Sequence, residues 1–465
     1  MKNSVLLSSI IALASSNTNH NYSSFILFLL LLLLLHCSTT LQTPKMFLLP
    51  RPLFLFLITI TIQKVTPLLL SPVSKDPSTQ LYTLSLYLQT PLQPTTLHLD
   101  LGSSLTWLLC NNNSSSNHHI PCNSSLCTTF NSGGACSNNT CSLFPENPIT
   151  RKTLLSTANL DTLAIPTSNG STQGSLVQIT DFIFSCSTAQ LLQGLAQKAT
   201  GLAALGRNNL SLPAQISNSL SAARCFALCL PASTHSSGAA FFASPGPYIL
   251  NSKIDLSKSL LYTPLIVNPV ADTVISYNGQ PSDEYFVNVT SIRINGKDVP
   301  INASILAIDQ DGSGGTKIST SEPYTVMESS LYKRFVELFV NQSLAFNLTA
   351  TEAVEPFGVC YREDDLTTTR VGPAVPTVDL VMHSDDVFWR IFGGNSMVRI
   401  EKEGMGMGLW CLGFVDGGAH RRTSVVIGGH QLEDNLVQFD LDSNRFGFSS
   451  SLLLQATTCS NLNNP

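Results

Sequence analysis

Charged side chains are scarce in this sequence. Asp, Glu, Lys and Arg make up only 12% of the 465 residues, whereas a typical soluble domain has about 25%. This scarcity excludes a disordered polyampholyte and a long coiled coil, because both need many charged positions. The net charge is −5 and no basic stripe is present, so the electrostatic footprint of a nucleic-acid-binding protein is missing and we expect no nucleic-acid partner.

Two catalytic signatures are also missing. The chain contains neither Gly-x-Ser-x-Gly nor His-Glu-x-x-His, so a serine esterase and a zinc peptidase of those types have no support. The missing charge is replaced by Ser, Thr and Asn, which is typical of a protein rich in strands and loops.

Long apolar runs are absent apart from two short ones near the amino terminus, Phe25–Leu35 and one within Met46–Ile62. The first has eleven apolar residues, against about 20 for a bilayer span. We interpret residues 1–72 as a leader, in which 1–45 is an upstream extension of the gene model and 46–72 resembles a secretory signal. The alternative is a single anchored membrane helix. We expect no stable membrane insertion of the mature chain.

Twelve cysteines are present, and five of them fall within the 32 residues from Cys110 to Cys141. This density indicates disulfides and an oxidising compartment. A zinc site that also uses His118 and His119 is the alternative, but the C-x4-C spacings are longer than the usual zinc knuckle, so we predict no metal. Asn-x-Ser/Thr motifs agree with secretion, and the candidate glycosylation sites are Asn112, Asn123, Asn138, Asn209, Asn288, Asn302, Asn341 and Asn347.

From about Ser74 the pattern changes to short segments of alternating apolar and polar residues, as in Leu81–Leu88. Alternation with a period of two predicts half-buried strands. Helical patterns are few and short: Ala189–Lys198, Leu212–Ser221 and Ser329–Asn341. The fold class is therefore mostly β.

A weak internal repeat divides the chain. In the first half an alternating strand ends at Asp100, and an apolar run closed by Gly206 follows. In the second half Thr316–Ile318 leads to Ser319, and an apolar run closed by Gly428 follows at a similar distance. Near-equal spacing of similar segments predicts two similar lobes.

Several segments resemble pepsin-like aspartic proteases. LHLDLGSSLTWLLC resembles their first catalytic loop, and VVIGGHQLEDNLVQFDLDSNRFGFS resembles their last strands. More narrowly, GLAALGRNNLSLPAQ, GGTKISTSEPYTV, PFGVCY and NSMV resemble the plant extracellular dermal glycoproteins, which are relatives of legume basic globulins and cereal endoxylanase inhibitors. The resemblance implies a bilobal, pepsin-like double β-barrel with a few short helices, whose lobes span 73–255 and 256–465.

The same resemblance assigns the site. Hydrolysis by this fold needs two carboxylates about 3 Å apart that share one proton. Asp100 matches the first, but the ungapped match puts Ser319 at the second, and a serine hydroxyl can neither hold that proton nor act as the base. Three departures accompany it: Ser321 stands where the second glycine is expected, Leu101 where a bracing hydroxyl is expected, and the flap region Arg151–Pro166 has no tyrosine.

One alternative register keeps a second carboxylate. It takes Asp311–Gly314 as the second loop, but then Ala307–Gln310 must serve as the approaching strand and the match over Thr325–Tyr332 is lost. Strand registers set by alternating patterns rarely slip. We therefore favour Ser319.

The resemblance also implies cysteine partners and a function. Ten cysteines match those of the family and make up five bridges, with Cys225 left over: Cys110, Cys122, Cys127, Cys136, Cys141, Cys186, Cys229, Cys360, Cys411 and Cys459. The function implied is that of a secreted, inactive protease homologue of the cell wall that needs no cofactor and inhibits microbial xylan- or glucan-degrading glycosidases. The alternatives are a peptidase with residual activity and a storage or peptide-binding globulin.

Overall fold

The computed structural model describes residues 68–110, 118–130, 135–168, 173–250, 254–275, 280–401 and 408–460. Residues 66–465 form one compact unit. The leader interpretation for residues 1–67 and the glycosylation candidate Asn112 lie outside the described residues. No helix in the described ranges is both long and apolar enough to cross a bilayer.

Strands dominate, as predicted. The strands up to residue 255 are β1 Leu69–Lys75, β2 Tyr82–Leu88, β3 Gln93–Asp100, β4 Trp107–Leu109, β5 His118–His119, β6 Cys136–Ser137, β7 Thr140–Leu143, β8 Glu146–Asn147, β9 Lys152–Thr153, β10 Ser156–Ser168, β11 Gln173–Ser187, β12 Gly201–Ala204, β13 Cys225–Cys229, β14 Ser237–Phe242, β15 Ile249–Leu250 and β16 Ile254–Asp255.

The later strands are β17 Leu261–Ile266, β18 Tyr285–Val287, β19 Ser291–Ile294, β20 Lys297–Asp298, β21 Thr316–Ile318, β22 Thr325–Met327, β23 Cys360–Arg362, β24 Thr368–Thr369, β25 Gly372–Pro373, β26 Val378–Val381, β27 Phe388–Ile391, β28 Met397–Glu401, β29 Gly408–Leu412, β30 Phe414–Asp416, β31 Val425–Ile427, β32 Leu436–Asp440 and β33 Arg445–Phe448.

Helices are short. The α-helices of the described residues are α1 Ser125–Phe130, α2 Leu212–Leu220, α3 Ser329–Ser343, α4 Gly393–Ser396 and α5 Gly429–Leu432. The 3-10 helices are Ala189–Leu192, Leu256–Ser259, Ala303–Leu306, Leu344–Phe346, Glu363–Asp365 and Leu452–Gln455. The helix predicted over Ala189–Lys198 is wrong beyond Leu192, because Gly194 adopts φ +83° and turns the chain out of a helix.

Alternation explains the strands, and a one-sided apolar stripe explains the longest helix. In β2 the side chains of Leu84, Leu86 and Leu88 are buried in the core while those between them are partly exposed. In α3 the buried Leu331, Phe335 and Phe339 recur every four residues and form one face.

A sheet of six antiparallel strands joins the two halves of the chain in the order β1–β14–β13–β32–β33–β17. Its first three strands come from residues before 255 and its last three from residues after 260. β1 begins at Leu69, so the leader boundary predicted at residue 72 falls inside a strand, because residues 69–74 pair with β14. The lobe boundary at 255/256 stays a prediction.

The ten cysteines of the described fold that the resemblance matched are paired in five disulfides: Cys110–Cys186, Cys122–Cys136, Cys127–Cys141, Cys229–Cys459 and Cys360–Cys411. Three of these bridges use the five cysteines of the zinc alternative: Cys110–Cys186, Cys122–Cys136 and Cys127–Cys141. Cys225 is free and buried, and burial raises the pKa of its thiol to about 12, so it is not accessible to a thiol of another molecule.

Candidate functional site

Two similar three-strand units approach each other at the base of a cleft. In the first, β12 runs parallel to β3 and antiparallel to β4. In the second, β31 runs parallel to β21 and antiparallel to β22. This arrangement confirms the predicted repeat, and it places the loops after β3 and β21 side by side.

The strand registers identify equivalent positions in the two units. His98 and Trp107 both pair with Leu202, and Lys317 and Val326 both pair with Val426. Asp100 lies two residues after His98, and Ser319 lies two residues after Lys317. Ser319 therefore has the position in its loop that Asp100 has in the other loop.

The buried carboxylate of Asp100 is held by a hydroxyl from the opposite loop. Asp100 is 3% exposed, and Ser321 Oγ donates to its Oδ1 at 2.5 Å. Ser321 has the position that Gly102 has in the first loop, so a side chain enters the space that a glycine leaves open. Ser319 lies beside them, and its Oγ accepts from the backbone N–H of Ser321 at 3.2 Å.

A histidine completes the cluster. His98 is fully buried, with its Nε2 3.0 Å from Ser321 Oγ. Since that hydroxyl donates its only proton to Asp100, Nε2 carries a hydrogen and donates to Ser321, while Nδ1 has no partner among the described residues. Burial lowers the pKa of His98 to about 4, with a smaller opposing effect from Asp100. The histidine is therefore neutral at ordinary pH.

The bracing between the two loops is one-sided. Thr320 Oγ1 donates to Leu99 O at 2.7 Å and accepts from Leu101 N at 3.2 Å. Leu101 is the residue at the equivalent position of the first loop, and its side chain cannot return these bonds. This agrees with the departure noted at Leu101.

Other carboxylates near the cluster are already engaged. Glu284 lies across Gly102 from Asp100 and forms an ion pair with Lys317 at 2.5 Å. Asp283 accepts from the hydroxyl of Ser104, and burial raises the pKa of Asp283. No group of three or more ligand side chains in the described ranges could hold a metal ion.

A polar clasp, formed by Glu146, Arg151, Asp272 and Val274, bridges the cleft. Arg151 Nη2 donates to Asp272 O at 2.6 Å, and Arg151 Nη1 lies 3.2 Å from Glu146 Oε1. Val274 N donates to Glu146 Oε2 at 3.0 Å. Burial raises the pKa of Glu146 although Val274 and Arg151 oppose the shift. The remaining cavity has a volume of about 390 Å³.

The cleft corrects the predicted position of the flap. Residues 156–166 belong to the long strand β10, which pairs with β11. The hairpin of β8 and β9, residues 146–153, lines the cleft instead. It too contains no tyrosine, and neither does the described lining of the cavity.

The alternative second loop is not at the site. Asp311 is exposed in a turn before β21, and Gly312, Gly314 and Gly315 of that turn have positive φ. His98, Glu284 and the clasp were missed by sequence reasoning, because residues far apart in the chain make these contacts. The glycosylation candidates within the described ranges are all exposed, and their occupancy stays a prediction.

His98 predicts how stability depends on pH. Its folded pKa of about 4 lies below the 6.5 of an unperturbed histidine, so its stabilising effect is complete above pH 6.5 and is lost as the pH falls towards 4. We expect the His98→Gln variant, whose amide still reaches Ser321, to lose less unfolding free energy over this range. The difference in slope should approach about 1.4 kcal/mol per pH unit.

Urea unfolding of both proteins between pH 7 and pH 4 measures these slopes. The exposed His235, changed to Gln, serves as the control and should keep the wild-type slope. Parallel slopes for wild type and His98→Gln would show that His98 does not titrate as described.

Comparison with known proteins identifies families and structures to which this chain is similar. The family model described as xylanase inhibitor N-terminal matches residues 82–244, and the one described as xylanase inhibitor C-terminal matches 284–450. The probable aspartic proteinase GIP1 of Glycine max is 68% identical over 88% of this chain and 94% of its own. Gamma conglutin 1 of Prunus dulcis is 36% identical over 84% of this chain and 88% of its own. The crystal structure of edgp has a TM-score of 0.81 at 44% identity, covering 85% of this chain and 98% of that one.

Proposed function

Because the chain belongs to the xylanase-inhibitor family of pepsin-like proteins, we propose that it is a secreted protein without peptidase activity that inhibits microbial glycosidases. Its targets in this proposal are enzymes that degrade xylan or glucan, and its place of action is the cell wall. The proposal has two parts, the missing hydrolysis and the recognition of another enzyme.

The missing hydrolysis is supported above all by the contact between Ser321 and Asp100. In the proposal Ser319 takes the place of the second catalytic carboxylate. The hydroxyl of Ser321 bonds the remaining carboxylate oxygen Oδ1 at 2.5 Å. Without a second carboxylate the site cannot hold one group protonated while the other activates water.

Glu284 is the carboxylate that a peptidase hypothesis would have to use. Its Oε1 is 2.5 Å from Lys317 Nζ and its Oε2 accepts from Ser282. Both carboxylate oxygens of Glu284 are therefore engaged by partners other than Asp100. The clasp also stands across the cleft where an extended peptide would have to lie.

Recognition of another enzyme is supported by the family and by the rigid frame. Exposed loops on a disulfide-linked double barrel can block the cleft of a second protein without chemistry of their own. A storage or peptide-binding globulin is the second candidate, and the similarity to gamma conglutins and to the basic 7S globulin of Glycine max, which is 36% identical, favours it.

An inhibition assay tests the proposal. The secreted protein is purified, mixed with fungal xylanases and β-glucanases at increasing molar ratios, and the release of reducing sugar is measured at acidic pH. We expect at least one of these enzymes to lose most of its activity at a molar excess. The control is the same protein after reduction and alkylation of its disulfides, which should not inhibit.

An Asp100→Asn variant separates inhibition from proteolysis of the target. Its amide oxygen still accepts from Ser321, and we expect it to inhibit as strongly as wild type. Casein should stay intact at acidic pH with either protein. Cleavage of casein that pepstatin abolishes would overturn the inactive part of the proposal, and no inhibition of any enzyme tested would favour the globulin.

A further inference from the structure

The glycosylation motif Asn209–Ser211 ends in a buried hydroxyl that has no hydrogen-bond partner among the described residues. Ser211 is fully buried. It occupies the N-cap position of α2, where serine usually accepts a hydrogen bond from the first turn, yet its side chain makes no such bond. A buried hydroxyl without a partner destabilises the fold.

In two other glycosylation motifs, those of Asn288 and Asn341, the hydroxyl forms a hydrogen bond within the fold. Thr290 Oγ1 donates to Met382 O at 2.8 Å, and Ser343 Oγ donates to Phe339 O at 2.8 Å. The folded structure thus explains these residues but does not explain Ser211. Transfer of a glycan to asparagine requires Ser or Thr two residues later, and this requirement explains a serine that the fold does not use.

Asn209 itself is exposed and held in a defined place. The side chain of Asn208 accepts from Leu210 N at 2.8 Å, which makes a tight turn around Asn209. Gln215 Nε2 donates to Leu210 O at 2.7 Å, and the same amide bonds both backbone groups of Ile183 in β11. The loop that carries Asn209 is therefore fixed to the sheet.

Asn209 lies at a groove of about 900 Å³. Thr180 of β11 and Asn218 and Ser219 of α2 also line it, and the last two are exposed. Amide and hydroxyl groups of this kind bond sugar hydroxyls, and the volume lies within the range of ligand pockets, about 300–1,000 Å³.

We propose that Asn209 carries an N-linked glycan whose first sugars lie in this groove. In the transfer, Asn209 Nδ2 bonds C1 of N-acetylglucosamine, the C1–O bond to a lipid pyrophosphate donor breaks, the lipid pyrophosphate leaves, and Nδ2 loses one proton to solvent. The inference rests on the secretory route that the proposed function assumes.

The Ser211→Ala variant tests the proposal in two hosts. Made without glycosylation in bacteria and refolded, it should melt higher than wild type by about 2 °C, because a buried unpaired hydroxyl is removed. Secreted from plant cells, it should lack the glycan that peptide mass spectrometry finds on Asn209 of wild type. It should then melt lower than secreted wild type, because the sugars in the groove are lost.

Two controls accompany it. Thr349→Ala removes the glycosylation motif of Asn347. Thr349 is exposed and lies away from the groove, so this variant should leave the melting temperature of the secreted protein unchanged. Asn209→Gln removes the glycan without touching Ser211, and it should lower the melting temperature of the secreted protein only.

Either of two results overturns the proposal: a bare Asn209 in the secreted protein, or an equal rise in melting temperature for Ser211→Ala from both hosts. These failures are distinct from failure of the proposed function. A bare Asn209 with glycosidase inhibition intact overturns only this inference, whereas an occupied Asn209 with no enzyme inhibited overturns only the proposed function.

Discussion

Replacing Glu433 with Ala is expected to lower the free energy of unfolding by about 3–5 kcal/mol. Glu433 is 2% exposed. Its Oε1 lies 2.5 Å from Lys75 Nζ and accepts from Tyr82 OH at 2.6 Å, and its Oε2 lies 3.0 Å from His430 Nδ1. Burial raises the pKa of Glu433, but His430 and Lys75 outweigh that effect and hold the pKa below its usual value. Without Glu433, the ammonium group of Lys75 is buried and unpaired.

Urea unfolding of the Glu433→Ala variant at neutral pH measures this loss. Glu337→Ala is the matched control, because Glu337 pairs with Arg334 on the exposed face of α3, where an ion pair contributes about 0.5 kcal/mol or less. The double variant Lys75→Met with Glu433→Leu should recover most of the stability, since no charge is left buried. Equal losses for Glu433→Ala and Glu337→Ala would contradict the role of the buried pair.

The buried network around Glu433 also shows where sequence reasoning stops. Lys75 lies just beyond the predicted leader, and nothing in the sequence pattern near it points to an acid more than 350 positions later. Short-range patterns report the period of a strand or helix, whereas a buried ion pair depends on which strands become neighbours. The central sheet brings β1 next to the end of α5, and only the folded chain shows that contact.

More of the candidate site could be predicted, because its two loops lie in segments that resemble the catalytic loops of a known family. The ungapped match to the family's second loop put Ser319 opposite Asp100, and in the structure Asp100 lies two residues after His98 and Ser319 two residues after Lys317. The sequence also marked Ser321 as a departure from glycine. It did not reveal that this hydroxyl bonds both Asp100 and His98, since that contact joins segments 221 and 223 residues apart.

The flap was misplaced for a physical reason as well. Residues 151–166 were expected to cover the cleft, but Ser156–Ser168 continue as one strand because β11 pairs with them over nearly their whole length. The shorter hairpin of residues 146–153 has two-residue strands, which are too short for a period to be recognised. Its place over the cleft depends on Arg151 and Glu146 bonding a segment from the other half of the chain.

The bridge between Cys229 and Cys459 should give the largest loss among the disulfides. It joins β13 of the central sheet to the carboxyl-terminal segment and spans 230 residues. Loop closure in the unfolded chain predicts a loss of about 5 kcal/mol when both cysteines are changed to Ala, against about 3 kcal/mol for the bridge Cys122–Cys136, which spans 14 residues. Both members of the longer bridge are buried, so lost packing adds to its effect.

Unfolding by urea under non-reducing conditions compares the two double-alanine variants with wild type. The Cys122→Ala/Cys136→Ala pair is the control, because it removes the same chemistry from a short loop at the surface. Changing both members of each bridge leaves no new free thiol. Equal losses for the two variants would mean that the length of the closed loop does not govern the stabilisation, and that the carboxyl-terminal segment is held to the central sheet by its other contacts, such as the bond from Cys459 N to Asp434 Oδ1 at 2.8 Å.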